Sequence, residues 1–353
     1  MRDKIVYYMN TRIMKANILI GGLLVAVALW ACGDNDEASA SHAEANWFTL
    51  EYDPNAGELD KLIYEIYDET GFPIFYNDTL KTQVRYDKGG KPYNYYEIFK
   101  TGYSYSGQAK ERYYSLQRDE EKVRLMVELL RDYAIKPYLA KNQGPDFKGR
   151  YGAYAFLLLD TLFNANSKPD SLYHSLGVTA LSTRYVMKRG SSLISVDMMT
   201  EEEKERFGWN FAIYELKRYL QMVYPTEFQA YFDVTLETPD HEQWKNGSAL
   251  RDIFEIKDSG INSYNYVNKP GYNADFPTNP RRYGVLRYQK VDKYSVYFPT
   301  KLEDLMAFTE MIHTMSDAEI RAEHGEFPMI MKRYEMLLEL LKLSGLTQFI
   351  KGE

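Results

Sequence analysis

The stretch TEEEKERFGWNFAIYELKRYLQMVYP, running from Thr200 to Pro225, decides how the rest of the chain is read. Thr200 followed three residues later by Glu203 is a capping-box signature, and it opens a helix that should run to about Met222, just before Pro225. A helix brings positions i and i+4 to one face, so Tyr214 and Arg218 share a face and Glu215 lies beside them.

Upstream of this helix, Glu58 to Thr70 carries Leu59, Leu62, Ile63, Ile66 and Tyr67 at helical spacing. Gly71 stops that helix and Pro73 to Tyr76 reads as a strand. Glu120 to Tyr133 is a second amphipathic helix. The continuous apolar run Tyr154 to Asp160 fits a buried strand, beside which Thr183 to Met187 and Leu193 to Val196 are expected to pair. Downstream, residues 236 to 299 are rich in Asp, Asn, Pro, Gly and Tyr and read as long ordered loops. Helices follow at Lys301 to Met315, at a short segment capped by Ser316 with Glu319, and at Met329 to Leu343, stopped by Gly345. Strands in the middle and helices at the end predict an α+β arrangement, not a doubly wound parallel sheet. From Trp47 onward there is no long linker, repeat or low-complexity block, so residues 47–353 are expected to form a single domain, with a soft subdivision near 145.

The chain has 353 residues, 43 basic and 50 acidic side chains, a net charge of -7 and one cysteine. A chain this long buries a substantial core without disulfides or a structural metal, and a single cysteine cannot form an internal disulfide. The acidic balance argues against a duplex nucleic-acid partner, which requires clustered Lys and Arg. Absence of any run of 18 consecutive apolar residues excludes a polytopic membrane protein.

The cysteine, Cys32, ends an apolar run from Ile18 to Ala31 that follows Arg12 and Lys15. That run is too short to span a bilayer of about 30 Å and suits the core of a secretory signal. Leu29-Trp30-Ala31-Cys32 resembles a bacterial lipobox, so residues 1–31 are expected to be a lipoprotein signal peptide and Cys32 the acylated first residue of the mature chain. Acyl chains bury methylenes at about 0.8 kcal/mol each, enough in combination to hold a protein on a membrane. Residues 32–46 begin with the acidic cluster Asp34, Asp36 and Glu37 and read as a flexible tether. Loss of residues 1–31, with four basic side chains against one acidic, leaves the mature chain more acidic still.

Several segments together resemble the zinc metallopeptidase-like (substrate import-associated zinc metallohydrolase) lipoproteins of Bacteroidetes. They are Leu59-Asp60-Lys61-Leu62-Ile63-Tyr64, Gly71-Phe72-Pro73-Ile74, Tyr224-Pro225-Thr226-Glu227-Phe228, Ser259-Gly260-Ile261-Asn262-Ser263-Tyr264 and Leu302-Glu303-Asp304-Leu305. The resemblance implies a zincin-like fold, with a central mixed sheet, a long former active-site helix and a mainly helical C-terminal part. It also implies an outer-membrane setting and association with TonB-dependent nutrient uptake. In that family the helix before the Tyr-Pro-Thr-Glu-Phe segment carries HExxH, whose imidazoles bind Zn²⁺ while the glutamate acts as general base. Here the stretch reads Tyr214-Glu215-Leu216-Lys217-Arg218. Both histidine positions are replaced, and a permanent guanidinium cation cannot ligate a metal. Glu215 retains the base position. Glu303 and Asp304 retain the acidic pair that resemblance makes a source of the third ligand. Arg218 is expected to take the metal's place and pair with Glu215 or Glu303.

The remaining metal candidates are few. The five histidines are His42, His174, His241, His313 and His324. His241-Glu242 is half of a motif in a loop-like region. Glu310 and His313 are spaced i, i+3 on the helix that carries Glu303, and His324 falls at a helix end where an exposed imidazole is expected. No G-x-S-x-G elbow, phosphate loop or dinucleotide fingerprint occurs. Paired carboxylates for glycoside hydrolysis leave no spacing to read. Thirty-two tyrosines form clusters, among them Tyr93, Tyr95 and Tyr96, and Tyr264 with Tyr266. Such rings suit recognition of a glycan or peptide, and equally suit half-buried sheet positions.

The leading expectation is a lipid-anchored envelope protein whose metal site has decayed, without cofactor, serving as a binding or accessory component of nutrient uptake. A second reading is an active hydrolase, using zinc through Glu303, Glu310 and His313 or a different site. A third is a structural lipoprotein without ligand. Metal content separates the first two, and glycan or peptide binding the third.

Overall fold

The computed structural model describes residues 48–100, 112–140, 151–175, 177–237, 255–258, 261–265, 280–292 and 295–352. The signal peptide 1–31, Cys32, the tether 32–46, His42, the His241 segment, Tyr266 and the expected subdivision near 145 lie outside the described residues. Phe48 to Glu353 forms one compact unit. No helix among the described residues is long and apolar enough to cross a membrane.

Helix α1 (Glu58–Thr70) ends at Gly71, whose φ of 72° is the left-handed conformation that lets its amide close onto Tyr67 O. Strand β1 (Ile74–Phe75) follows, then the hairpin β2 (Thr79–Tyr86) and β3 (Pro92–Ile98), then β4 (Tyr113–Leu116) and α2 (Glu120–Leu129). The expected helix to Tyr133 changes character at Leu130 and continues as a π-helix to Leu139, with Pro137 inside it. Proline has no amide to return to residue 133, and the wider i→i−5 pattern, seen where Ala140 N–H donates to Ile135 O at 2.8 Å, absorbs that gap.

The central sheet is mixed. β5 (Ala155–Phe163) runs parallel to β1 on one side and to β7 (Val178–Ser182) on the other; β4 pairs with it antiparallel, and β6 (Leu172–Ser175) lies antiparallel beside β7. Of the segments expected beside β5, only the start of Thr183–Met187 meets it, through Thr183 N to Leu159 O at 2.8 Å and Arg184 N to Asp160 O at 3.2 Å. β8 (Met187–Arg189) and β9 (Ser192–Ile194) pair with each other in a separate hairpin, because Gly190 at φ 64° turns the chain back within two residues. The strand that pairs with β5 on this side is β7, just upstream.

β5 is buried on both faces. Phe156 and Leu158 face a large core, while Ala155, Leu157 and Leu159 face a second, smaller one built with Phe75, Leu80, Phe99, Val178 and Ala180. This is why the run is apolar without alternation. Helix α3 (Glu201–Val223) covers the first face, with Phe211 against Phe156 at a ring separation of 5.8 Å. Both halves of its capping box form: Thr200 Oγ1 accepts from Glu203 N, and Glu203 accepts from Thr200 N at 2.9 Å. Midway along α3, Gly208 allows a very close approach, since a Cβ there would lie 1.9 Å from Tyr133 O on the π-helix.

Helices α4 (Pro225–Asp233), α5 (Lys301–Thr314), α6 (Asp317–His324) and α7 (Pro328–Leu343) make the C-terminal part mainly helical. Between α4 and α5 the expected loops contain a sheet ordered β10 (Ile261–Asn265), β12 (Ser295–Phe298), β11 (Gln289–Asp292). The architecture is α+β with a mixed sheet.

Candidate functional site

The long helix presents Glu215 to the sheet. Its side chain is 1% exposed, so an ionised carboxylate needs partners here. One turn on, Arg218 Nη1 donates to Glu215 Oε2 at 2.6 Å, an i, i+3 pair that the helix itself sets up. The hairpin β6–β7 provides the rest. Its register places His174 opposite Thr179. Thr179 Oγ1, fully buried, donates to Glu215 Oε1 at 3.2 Å, His174 Nδ1 lies 3.0 Å from Thr179 Oγ1, and His174 Nε2 lies 2.5 Å from Arg218 Nη2.

These four contacts fix the protons. A guanidinium only donates, so His174 Nε2 accepts and the neutral ring carries its hydrogen on Nδ1. That hydrogen goes to Thr179 Oγ1, and the threonine hydroxyl passes its own to Glu215. The result is a closed ring in which Arg218 donates at one end to the carboxylate and at the other to the imidazole. Burial, with the Arg218 charge adding to it, pushes the His174 pKa down to about 4. Burial pushes the Glu215 carboxyl upward, against the opposing pull of Arg218 and Thr179. Burial also raises the Tyr214 phenol.

The donor set does not fit a zinc centre. Glu215 and His174, the two groups with suitable lone pairs, both spend them on the guanidinium that sits between them. The expected pairing of Arg218 is therefore with Glu215, not Glu303. Glu303 is exposed and caps its own helix, accepting from Thr300 N at 2.7 Å. Asp304 faces the other way, into a fully buried ion pair with Arg333, whose guanidinium also donates to Gly284 O at 2.7 Å and to Tyr231 O at 3.1 Å. Glu310 pairs with Arg287 at 2.9 Å, and the His313 ring packs on Trp209 at 4.9 Å, so this alternative constellation is dispersed. His324 is 3% exposed, against the expectation for a helix end, and the turn after it is closed by Phe327 N donating to His324 O at 2.8 Å. Among the described residues no group of three or more His, Cys, Asp or Glu side chains could hold a metal ion. Tyr264 lies on β10, opposite Val296.

Above the ring opens a pocket of about 300 Å³, lined by Tyr154, Glu215, Arg218, Tyr219, Gln221 and Met222. Its walls are aromatic and apolar and its polar floor is the Glu215–Arg218 pair. A cleft of this size, with apolar walls and a charged pair at its floor, is suited to binding a ligand. His174 and Thr179 were not singled out from the sequence; the usable signal was Gly177 between two short runs, which marks a hairpin and brings 174 and 179 side by side. Comparison of the chain with protein-family models, with curated proteins and with solved structures gave no match.

Proposed function

We propose that this protein is a lipid-anchored envelope component with a zincin-like architecture that has lost catalysis, and that it serves TonB-dependent nutrient uptake at the outer membrane as a binding or accessory subunit. The observation carrying the reading is the guanidinium of Arg218 between Glu215 and His174, a cation that cannot bind and activate water where a metallopeptidase would hold a Lewis-acidic metal. The Cys32 segment supports the anchor, and the open pocket supports a glycan or peptide ligand without cofactor. Nucleic acid is no part of the reading.

Two measurements test it. Protein purified without chelator should contain far less than one zinc per chain by mass spectrometry; tightly held stoichiometric zinc would overturn the loss of catalysis. Binding of oligosaccharides or peptides, followed by calorimetry, should disappear in Met222→Trp, which fills the pocket mouth. Undiminished binding in that variant would move the ligand site elsewhere.

A further inference from the structure

The hairpin β2–β3 is a two-stranded ribbon, and among the described residues neither strand pairs with any other. Its two faces differ sharply. One carries Lys81, Arg85 and Glu97, where the Arg85 guanidinium lies 3.4 Å from the Tyr95 ring and Tyr95 OH donates to Glu97 at 2.6 Å. The other holds no charged side chain. Along it Val84 is 61% exposed, Tyr86 68%, Tyr96 51% and Ile98 43%. Thr82, Pro92 and Asn94 complete that face and are exposed as well. An uncharged, mainly apolar stripe left in water at this level, interrupted only by the neutral side chains of Thr82 and Asn94, marks a contact surface.

Position and charge indicate what it contacts. The base of the ribbon, Leu80 and Phe99, is anchored in the smaller core, against which Phe48 and Leu50 also pack, and Lys81 Nζ donates to Thr49 Oγ1 at 3.4 Å. The chain leading from Cys32 therefore enters the folded body at the foot of this hairpin. The sixteen residues from Cys32 to Trp47 span about 50 Å when extended and about 20 Å as a flexible coil. The ribbon itself is about 25 Å long. At its tip Lys88 and Lys91 are exposed, while Asp87 is occupied by accepting from the amides of Gly89 and Lys91 at 2.9 and 2.8 Å. Lysines at the end of an aromatic and aliphatic stripe match a lipid surface, with ammonium groups at anionic headgroups and tyrosines at the polar boundary.

We propose that the uncharged face of the β2–β3 hairpin rests on an anionic lipid surface and serves as a second membrane contact beside the acylated cysteine. The inference rests on the lipid-anchor reading for its geometry. Tethering holds the face at high effective concentration near the bilayer, so a few apolar side chains suffice to fix an orientation that acyl chains alone leave free.

The chain's only cysteine makes the test clean. In acylated protein Cys32 is consumed, so Asn94→Cys takes an environment-sensitive fluorophore at one place, and Leu343→Cys, an exposed position on α7, provides the control. On mixed phosphatidylethanolamine–phosphatidylglycerol vesicles the probe at 94 should shift to the blue and be quenched by brominated lipid, while the probe at 343 stays aqueous. Tyr86→Ser combined with Tyr96→Ser should weaken the vesicle affinity of the unacylated Cys32→Ser chain by about tenfold or more. An aqueous probe at 94 on protein whose Cys32 carries lipid by mass overturns the inference and leaves the anchor reading intact. Unmodified Cys32 instead ends the anchor reading; the same probe in the Cys32→Ser chain then decides the inference alone, by a blue shift with vesicle flotation or by their absence. A probe already shielded without vesicles also overturns it, and assigns the face to a protein contact.

Discussion

Arg218 forms the contacts a divalent ion would form with a carboxylate and an imidazole, but it is covalently fixed and cannot dissociate. Removing it should therefore be worse than removing the whole pair. Arg218→Ala leaves Glu215 buried without a counter-charge, and a loss approaching about 3 kcal/mol is expected, below the full range for a buried pair because the arginine side chain is 29% exposed. Adding Glu215→Gln should recover much of it, and a double-mutant cycle from urea denaturation would show the coupling. A near-zero coupling would mean the ring contributes nothing to the fold.

His174 supplies a pH dependence with a definite sign. Its folded pKa of about 4 lies below the 6.5 of an unfolded histidine, so the unfolded state binds more protons between those values and stability falls as pH drops from 6.5 towards 4. His313 and His324, also shifted down by burial, add to the slope in the same direction. The slope should be shallower in His174→Gln than in the parent, read from melting temperatures across that range. The Arg218–Glu215 pair was legible in sequence because helical spacing is local. His174 was not, because it arrives from a hairpin 44 residues upstream. Glu303 was misjudged for the opposite reason. Thr300 three residues before it spells a capping box as plainly as Thr200 does before Glu203, and the carboxylate is spent on the helix start.

The long helix and the π-helix show how two elements set each other's geometry. Pro137 cannot donate to Tyr133 O, the π-helical pattern takes up that gap, and the same carbonyl lies against the one position on α3 that lacks a side chain. Gly208→Ala has nowhere to put its methyl group, since the obstacle is backbone. A loss at or beyond the upper end of about 1–3 kcal/mol is expected from overpacking, although alanine is the better helix former. A stabilised variant in thermal melts would show that the helices separate freely. The limits of α1, α3 and α7 were readable because caps, glycines and prolines act locally, and they fall within a residue or two of their signals; the π-helical continuation to Leu139 and helix α4 were not. Strand partners were not. Apolar content makes β5 a buried strand but says nothing of which segments flank it, and the hairpin turn at Gly190 redirected the segments that looked nearest.

At the scale of the whole molecule the C-terminal helices are joined by Arg333. From α7 it reaches Asp304 on α5, Tyr231 O on α4 and Gly284 O in the segment before β11, with the Tyr231 and Phe308 rings on its faces at 4.1 and 4.5 Å. Arg333→Met should cost about 3–5 kcal/mol, because Asp304 stays buried without a counter-charge and keeps, among the described residues, only the Tyr231 hydroxyl as donor. Combining it with Asp304→Leu should return part of that loss, which equilibrium unfolding would measure. The α+β class followed from element order alone, since runs of strands and runs of helices were separately visible. The division of the interior into two cores was hidden, because it depends on alternate side chains of one strand pointing opposite ways.

That shared strand links the fates of the two cores. Any opening that withdraws β5 empties both at once, so neither can melt as an independent foldon while the other persists. The amides of Phe156 to Leu159, bonded to neighbours drawn from both earlier and later sequence, should exchange with deuterium only through global unfolding. The outer hairpin β2–β3, held at its base alone, should exchange far sooner in water and slow down on a lipid surface.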